Sequence, residues 1–441
     1  MLVSALATAS RERFDATRQN AGMTPRLVHV SDLETLFDRP TDAGRFAGTI
    51  TALRDDRTAV VGTGDTTALG SLALATDEGR GHAAPFLDRI RPVADTFGNH
   101  DFDHGPEWTA EWARRTPGTS LAANLSGVDA DAYDSHAIVE VGGTRVGLVG
   151  VANPETSVIC AAAADLDFTD PVAAVREGER ALREDGAEYV VALSHCGDTD
   201  ATIARETDVD VVLGAHDHER VEKRVAGTLV ARTRGGQANE FEVVTLGETP
   251  TVDVREPTGP EDEEITEEYR ERRDAAGIDE LVCSFAADLS PAETGWAVAD
   301  AYRVRGNADV GITAEASVRG ALPAEPSVGD LLGTVPFDSA LQTLEIRGED
   351  LEDAVLAGRE PLDDTHGRLH VAGATVDGDT VFVGGEPIED RTYRVACTSY
   401  LPSVGLLPGF TPDRVVADHG LQHEHLLAHA RNGQFGPGTR R

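Results

Sequence analysis

One recurring pattern leaves this chain little freedom of fold: a short apolar run that ends on a carboxylate, an amide or an imidazole. Residues 26–30 (RLVHV) lead to Asp32 and Glu34, and 58–62 (TAVVG) lead to Asp65. Farther on, 188–193 (EYVVAL) lead to His195, and 209–213 (VDVVL) lead to His216 and His218. Runs this short and this apolar fit strands buried on both faces of a largely parallel sheet. Helical segments such as 171–185 (PVAAVREGERALRED) alternate with them through about residue 247, as in a layered α/β unit. In such sheets ligands gather at the carboxyl edge of the strands, so these polar residues can converge on one crevice.

Mixed oxygen and imidazole donors suit a pair of borderline divalent ions such as Mn²⁺, Zn²⁺ or Fe²⁺. Asp65, in GTGDTTALGS, has the short, stiff carboxylate that a bridging ligand between two cations needs, and the glycines around it let backbone approach. Asn99, in GNHDFDHG, adds a neutral amide oxygen. His216 and His218 lie two residues apart, so an extended segment would point both rings to one face. His195, in LSHCGD, completes the second site. His100 suits proton donation to a leaving alkoxide, and Asp103, three residues on, can hold its ring in the charged form.

These residues carry a resemblance. GNHDFDHG, GTGDTTALGS, AANL at 122–125, GLVGV at 147–151, LSHCGD and GAHDH together resemble the calcineurin-like metallophosphoesterases. Within that superfamily the chain is similar to the 5'-nucleotidase and 2',3'-cyclic phosphodiesterase family. Its second half, with ADVGITAEASVRG (308–320), SVGDLLGTVPFDSALQTLEIRGEDLEDAV (327–355) and TYRVACTSYL (392–401), resembles that family's C-terminal substrate-binding domain. The resemblance implies an α/β fold: an N-terminal four-layer α/β/β/α domain followed by a smaller α+β domain. It also implies two divalent ions, Mn²⁺ favoured over Zn²⁺, Fe²⁺, Co²⁺ or Mg²⁺, held by Asp32, Asp65, Asn99, His195, His216 and His218. The His100–Asp103 dyad would serve as acid and Arg319 would grip phosphate, which a planar guanidinium does well.

The chain departs from the family pattern in three places. The usual Asp-x-His reads Asp32-Leu33-Glu34, so a carboxylate stands for an imidazole, and Glu34 as a ligand favours harder ions such as Mn²⁺ or Mg²⁺. AEASVR (314–319) lacks the asparagine and paired glycines expected before Arg319. The segment that would bring a ring to the nucleobase reads SVGLLPGF (403–410), leaving Phe410 or Tyr400 to supply it.

The expected activity is metal-assisted hydrolysis of a small phosphoester, foremost a nucleoside monophosphate. Alternatives are a cyclic nucleotide, a nucleotide sugar or a thiosulfohydrolase substrate, or a non-catalytic metal- or nucleotide-binding protein. Composition bounds the setting. The chain has 77 acidic against 39 basic residues, a formal net charge of −38, and a single lysine, Lys223. Arginine in place of lysine on so acidic a chain points to a cytoplasmic protein of multimolar salt, and speaks against nucleic-acid or anionic-membrane partners.

Residues 1–25 read as a disordered leader with Met23 as a second candidate start, 26–250 as the phosphoesterase domain, 251–276 as a charged linker and solvated helix, and 277–441 as the C-terminal domain. Cys160, Cys196, Cys283 and Cys397 show no pairing pattern. Lone histidines His82, His104, His136, His366 and His370, the carboxylates Asp38, Asp101 and Asp217, and the tail histidines His423, His425 and His429 read as structural or surface groups.

Overall fold

The computed structural model describes residues 24–67, 69–76, 81–337, 339–363 and 366–436, so most of the expected leader, with Met23, lies outside the described residues. Two compact units emerge. One holds the described residues up to 67 and from 81 to 270, the other residues 69–76 and those from 271 onward.

The first unit is built on two six-stranded sheets. Its strands are β1 (Arg26–Val30), β2 (Thr58–Gly62), β3 (Ala94–Thr96), β4 (Thr119–Leu121), β5 (His136–Val141), β6 (Thr144–Ala152), β7 (Tyr189–His195), β8 (Val211–Gly214), β9 (Val221–Val225), β10 (Thr228–Arg232), β11 (Phe241–Thr245) and β12 (Thr251–Arg255). The first sheet runs β12-β11-β1-β2-β3-β4, the second β9-β10-β8-β7-β6-β5. β1 through β4 are parallel, as are β6, β7, β8 and β10, while the outer strands pair antiparallel. Leu27, Val61 and Leu121 from one sheet meet Leu148, Val191 and Leu213 from the other in one fully buried core. That sandwich explains why the inner parallel strands are mostly apolar rather than alternating, while the edge strands β9 and β12 carry charged, exposed residues.

Helices close both outer faces. Pro171–Glu184 starts on Asp170, whose side chain accepts from Val172 N, and buries Val172, Val175 and Leu182 against the second sheet. On the far side Phe37, Phe46, Phe86 and Phe241 pack ring to ring beneath helices Pro40–Ala52 and Ala84–Ile90. The result is the four-layer α/β/β/α arrangement.

The segment expected as a linker differs. Residues 251–255 form the edge strand β12, and helix Glu263–Ala276 buries Ile265, Thr266 and Tyr269 rather than standing in solvent. Tyr269 donates its hydroxyl to the carbonyl of His82, which fixes the helix to the first unit.

The second unit carries a five-stranded sheet, formed by β13 (Val310–Ala314), β14 (Ala340–Arg347), β15 (Leu369–Ala372), β16 (Thr392–Thr398) and β17 (Val415–Leu421) in the order β15-β13-β16-β14-β17. Helix Pro291–Arg305 begins with a full capping box between Ser290 and Glu293 and a proline in its first turn. Its Val298 and Tyr302 pack with Leu426 and Ala430 of the tail helix Gln422–Arg431. Those contacts correct the surface reading of the tail: His423 and His429 are buried, because one side of this polar helix faces the core. They join no metal-ligating cluster among the described residues. All four cysteines are free thiols. Among the described residues no helix is long and apolar enough to cross a membrane.

Candidate metal centre

Five parallel strands deliver the polar residues to one place. Asp32 follows β1 by two residues, Asp65 follows β2 by three and Asn99 follows β3 by three, while His195 ends β7 and His216 follows β8 by two. Asp32, Asp65 and His195 place ligand atoms within 4.8 Å of one another, and so do Asp32, Glu34 and His218. The two clusters share Asp32. His195 Nε2 lies 3.1 Å from Asp65 Oδ2, and His218 Nε2 lies 3.4 Å from Asp32 Oδ1 and 3.1 Å from Glu34 Oε1. Asn99 Oδ1 and His216 Nδ1 approach to 2.8 Å, and the rings of His216 and His195 stand 5.3 Å apart.

Backbone strain accompanies the convergence. Asp32, Glu34, Asp65, His216 and His218 all have positive φ, between 34° and 83°, where few residues other than glycine settle. The extended segment expected for His216 and His218 is therefore absent: both lie past the end of β8 in left-handed conformations. Neighbouring glycines make the crowding possible. A Cβ on Gly98 would sit 2.0 Å from Asp65 Oδ1, and Gly64, at φ +89°, would place one 2.2 Å from the nitrogen of Gly98.

A carboxylate that sequence reasoning discounted ties these loops together. Asp101 is buried and accepts from the nitrogens of Asp65, Thr66 and Gly98 at 2.9, 3.2 and 2.8 Å, and from Thr67 Oγ1 at 2.8 Å. A second unanticipated pair, His29 and Glu242, faces across β1 and β11 with Nδ1 to Oε2 at 2.6 Å, while His29 Nε2 meets Thr63 Oγ1 at 2.7 Å. Thr63 in turn accepts at its carbonyl from His195 Nδ1, leaving Nε2 to face the carboxylates. The side-chain amide nitrogen of Gln237 lies 2.6 Å from His218 Nδ1 and 3.1 Å from its Nε2, packed against that ring.

The donor set fits a cation. Asp32 Oδ2 is fully buried without a hydrogen-bond partner, and His195 Nε2 is buried facing the Asp65 carboxylate, an arrangement of donors that a metal ion relieves. Burial opposes charge on His195 and on His218, but Asp65 outweighs it at the first and Asp32 with Glu34 at the second, raising each pKa to about 10. His216 goes the other way, down to about 4, through burial and the charge of His195. Burial also works against ionising Asp65, yet the charges of His195 and His100 hold it well below the carboxylate range.

His100 donates its backbone nitrogen to Asp65 Oδ1 at 2.8 Å, and its Nδ1 meets Asp103 Oδ2 at 2.9 Å. Burial lowers its pKa, but the charges of Asp103 and Asp65 prevail and push it to about 10. The ring keeps 20% of its side-chain surface exposed, enough to meet a ligand. On its outer oxygen Asp103 receives the thiol of Cys160 at 3.5 Å, a group whose own pKa burial pushes up to about 12.

The chain matches the model of the calcineurin-like phosphoesterases over residues 25–220 and that of the 5'-nucleotidase C-terminal domain over residues 278–406. The chain belongs to the 5'-nucleotidase branch of the calcineurin-like phosphoesterases. Among curated relatives, an apyrase of Aedes albopictus is 36% identical over 146 residues, which make up 31% of this chain and 26% of the apyrase. The chain thus spans about a quarter of the length of such relatives. Two solved structures share the fold of this family member along nearly its whole length. A 5'-nucleotidase precursor of Thermus thermophilus superposes with a TM-score of 0.76 at 20% identity, covering 93% of this chain and 97% of its own. The sulfate thiohydrolase SoxB of Thermus thermophilus does so at 0.70 and 17%, covering 93% and 94%.

The residues expected to bind substrate lie in the second unit. Arg319 is exposed, has no ion pair among the described residues, and holds its guanidinium 5.4 Å from the centre of the Phe337 ring. Phe410 is a correction to the stacking role expected of it: it sits in the apolar core with no exposed surface, so it offers no ring face to a base. Tyr400 is half-buried, stacked on His366 and bonded through its hydroxyl to His366 Nε2 at 2.8 Å.

Proposed function

We propose that this phosphoesterase hydrolyses small phosphoesters at a dinuclear metal centre, with nucleoside monophosphates as its substrates and Mn²⁺ as its preferred ion, in a cytoplasm of high salt. The observation that carries this reading is the pair of ligand clusters sharing Asp32 at the carboxyl ends of the parallel strands. Asp32, Glu34 and His218 would hold one ion, and Asp32 with Asp65, Asn99, His195 and His216 the other. When bound, such ions polarise phosphoryl oxygens and activate water.

The chain's own residues supply the rest. His100, charged at neutral pH and oriented by Asp103, protonates the departing ester oxygen. Asp65 fixes His100 from the other side by accepting its backbone N–H. Arg319 offers a fork of donors to the phosphate, free of any competing carboxylate among the described residues.

Product analysis tests the proposal. A panel of nucleoside monophosphates, 2',3'-cyclic nucleotides and nucleotide sugars is assayed in multimolar KCl with Mn²⁺ for wild type and His100→Ala, with phosphate release reporting the monophosphates and chromatography reporting the nucleotide products of the other two, and sulfate release from an S-sulfonate is followed beside it. Preferential turnover of the monophosphates, lost in the variant, supports it. Turnover of another member alone overturns the substrate, and binding of Mn²⁺ without turnover of any member overturns the activity.

A further inference from the structure

Arg232, at the end of β10, is buried, with only 4% of its side chain exposed. Its Nη1 lies 2.7 Å from Asp217 Oδ2 and 3.8 Å from Asp200 Oδ2, and its Nε donates to the carbonyl of Glu219 at 3.2 Å. Asp217 stands between His216 and His218. Asp200, itself buried, accepts from Ser194 Oγ at 2.6 Å, and Ser194 immediately precedes His195. One guanidinium therefore reaches both of the strand ends that carry imidazoles.

The surrounding backbone is shaped around this link. A Cβ on Gly197, at φ +55°, would lie 2.5 Å from Asp217 Oδ2, and one on Gly214 would lie 2.0 Å from Asp200 Oδ2. The two carboxylates thus occupy space that any larger residue would take. His216 and His218 also hold φ of 83° and 36°, conformations that do not persist without an external tether. A buried guanidinium is costly to desolvate, and Asp217, Asp200 and the carbonyl of Glu219 are the partners that offset this cost.

We propose that Arg232 is a positioning residue of the metal centre: through Asp217 and through Asp200 with Ser194 it holds His195, His216 and His218 in the geometry that binds the ions. Its guanidinium meets Asp217, Asp200 and the Glu219 carbonyl, none of them a residue of the ligand set. The inference rests on the metal-centre reading above and adds a determinant of metal affinity that the ligand set alone does not contain. Partners behind a ligating histidine are worth roughly 10–100-fold in affinity.

The test is titration with Co²⁺, followed by visible absorption and by calorimetry, beside thermal melting of the metal-free protein. Asp217→Ala cuts the link to the His216–His218 loop at a side chain that is 34% exposed. Because it also leaves the buried guanidinium with Asp200 at 3.8 Å as its remaining buried carboxylate, the metal-free melt is expected to drop, and Co²⁺ binding is read well below that melt, on folded protein. There the affinity is expected to fall about 10–100-fold with an altered absorption band. Arg232→Lys, which keeps the charge but loses the fork, should fall between this variant and wild type. Wild-type affinity and spectrum in Asp217→Ala would overturn the proposal and leave Arg232 a structural ion pair. Should that variant fail to fold, Ser194→Ala cuts the other arm and the same readout decides. A wild-type protein that binds no Co²⁺ would instead overturn the metal centre itself.

Discussion

His195 donates Nδ1–H to the carbonyl of Thr63 at 2.6 Å, which turns its Nε2 to within 3.1 Å of Asp65 Oδ2. That single contact settles which nitrogen faces the ligand cluster, and it makes metal uptake a proton exchange. Without an ion the ring is charged: burial resists this, but Asp65 raises its pKa to about 10. His218 reaches about 10 as well, through Asp32 and Glu34 against burial. Both pKa values are raised above the unfolded value, so their contribution to the metal-free fold is full below about pH 6.5 and is lost as pH rises through about 10.

Metal binding must displace those protons, so uptake near neutrality should release close to two protons and apparent affinity should climb with pH. His216, lowered to about 4, has none to give. Calorimetry of Mn²⁺ binding in buffers of differing ionisation enthalpy measures the number directly. Affinity that stays flat between roughly pH 7 and 9 would show that neither ring is a charged ligand in waiting.

The dyad makes a separate prediction. His100→Ala should lower kcat by about 10²–10⁴ with metal content unchanged, since His100 contacts Asp65 through its backbone nitrogen rather than its ring. In Asp103→Asn the ring loses the charge that most strongly offsets burial, so its pKa drops and the alkaline limb of the rate profile moves to lower pH. An unmoved limb would remove His100 from the role of acid.

Asp101 should matter more to the fold than any other carboxylate here that is not a ligand. Asp101→Asn keeps the size but turns one acceptor oxygen into an amide N–H₂ that faces two of the four donors, either Gly98 and Asp65 or Thr66 and Thr67, and each hydrogen bond to a charged acceptor is worth about 1.5–3 kcal/mol. Denaturant unfolding of the metal-free variant is expected to show a loss of about 3 kcal/mol. A loss under about 1 kcal/mol would mean that the loops hold themselves.

Much of this was legible because strand and function share one signal. The core of a buried parallel strand is apolar, so a carboxylate or imidazole at its end or just past it stands out, as Asp32, Asp65, His195 and His216 do. What the chain hides is reach across space. Asp101 and Asp217 look like ordinary loop acids until their donors are seen, and Arg232 is one arginine among many until its burial is known. The left-handed turns at His216 and His218 escape a period-of-two reading because they begin where the strand stops. The buried side of the tail helix escaped notice because its core-facing positions include histidines, and Phe410 looked available because its loop position says nothing of the core beneath it.

The acidic surface yields the last prediction. At a net charge of −38 the compact state concentrates repulsion that the unfolded chain can disperse, so folding should depend on screening. The screening length is about 10 Å at 0.1 M salt and about 3 Å at 1 M, which takes neighbouring surface carboxylates from coupled to nearly independent. Arginines paired at the surface, such as Arg176 with Glu206 and Arg180 with Glu184, work against this trend, because salt weakens their attraction too. With 77 acidic residues against 39 basic ones, repulsive pairs outnumber attractive ones and relief of repulsion should win. The midpoint of thermal unfolding is therefore expected to rise as KCl goes from about 0.1 M to beyond 1 M, and to rise less in an uncharged osmolyte of equal osmolality. Equal stabilisation by salt and osmolyte would assign the gain to solvent exclusion and leave the charge of the chain without a part in its stability.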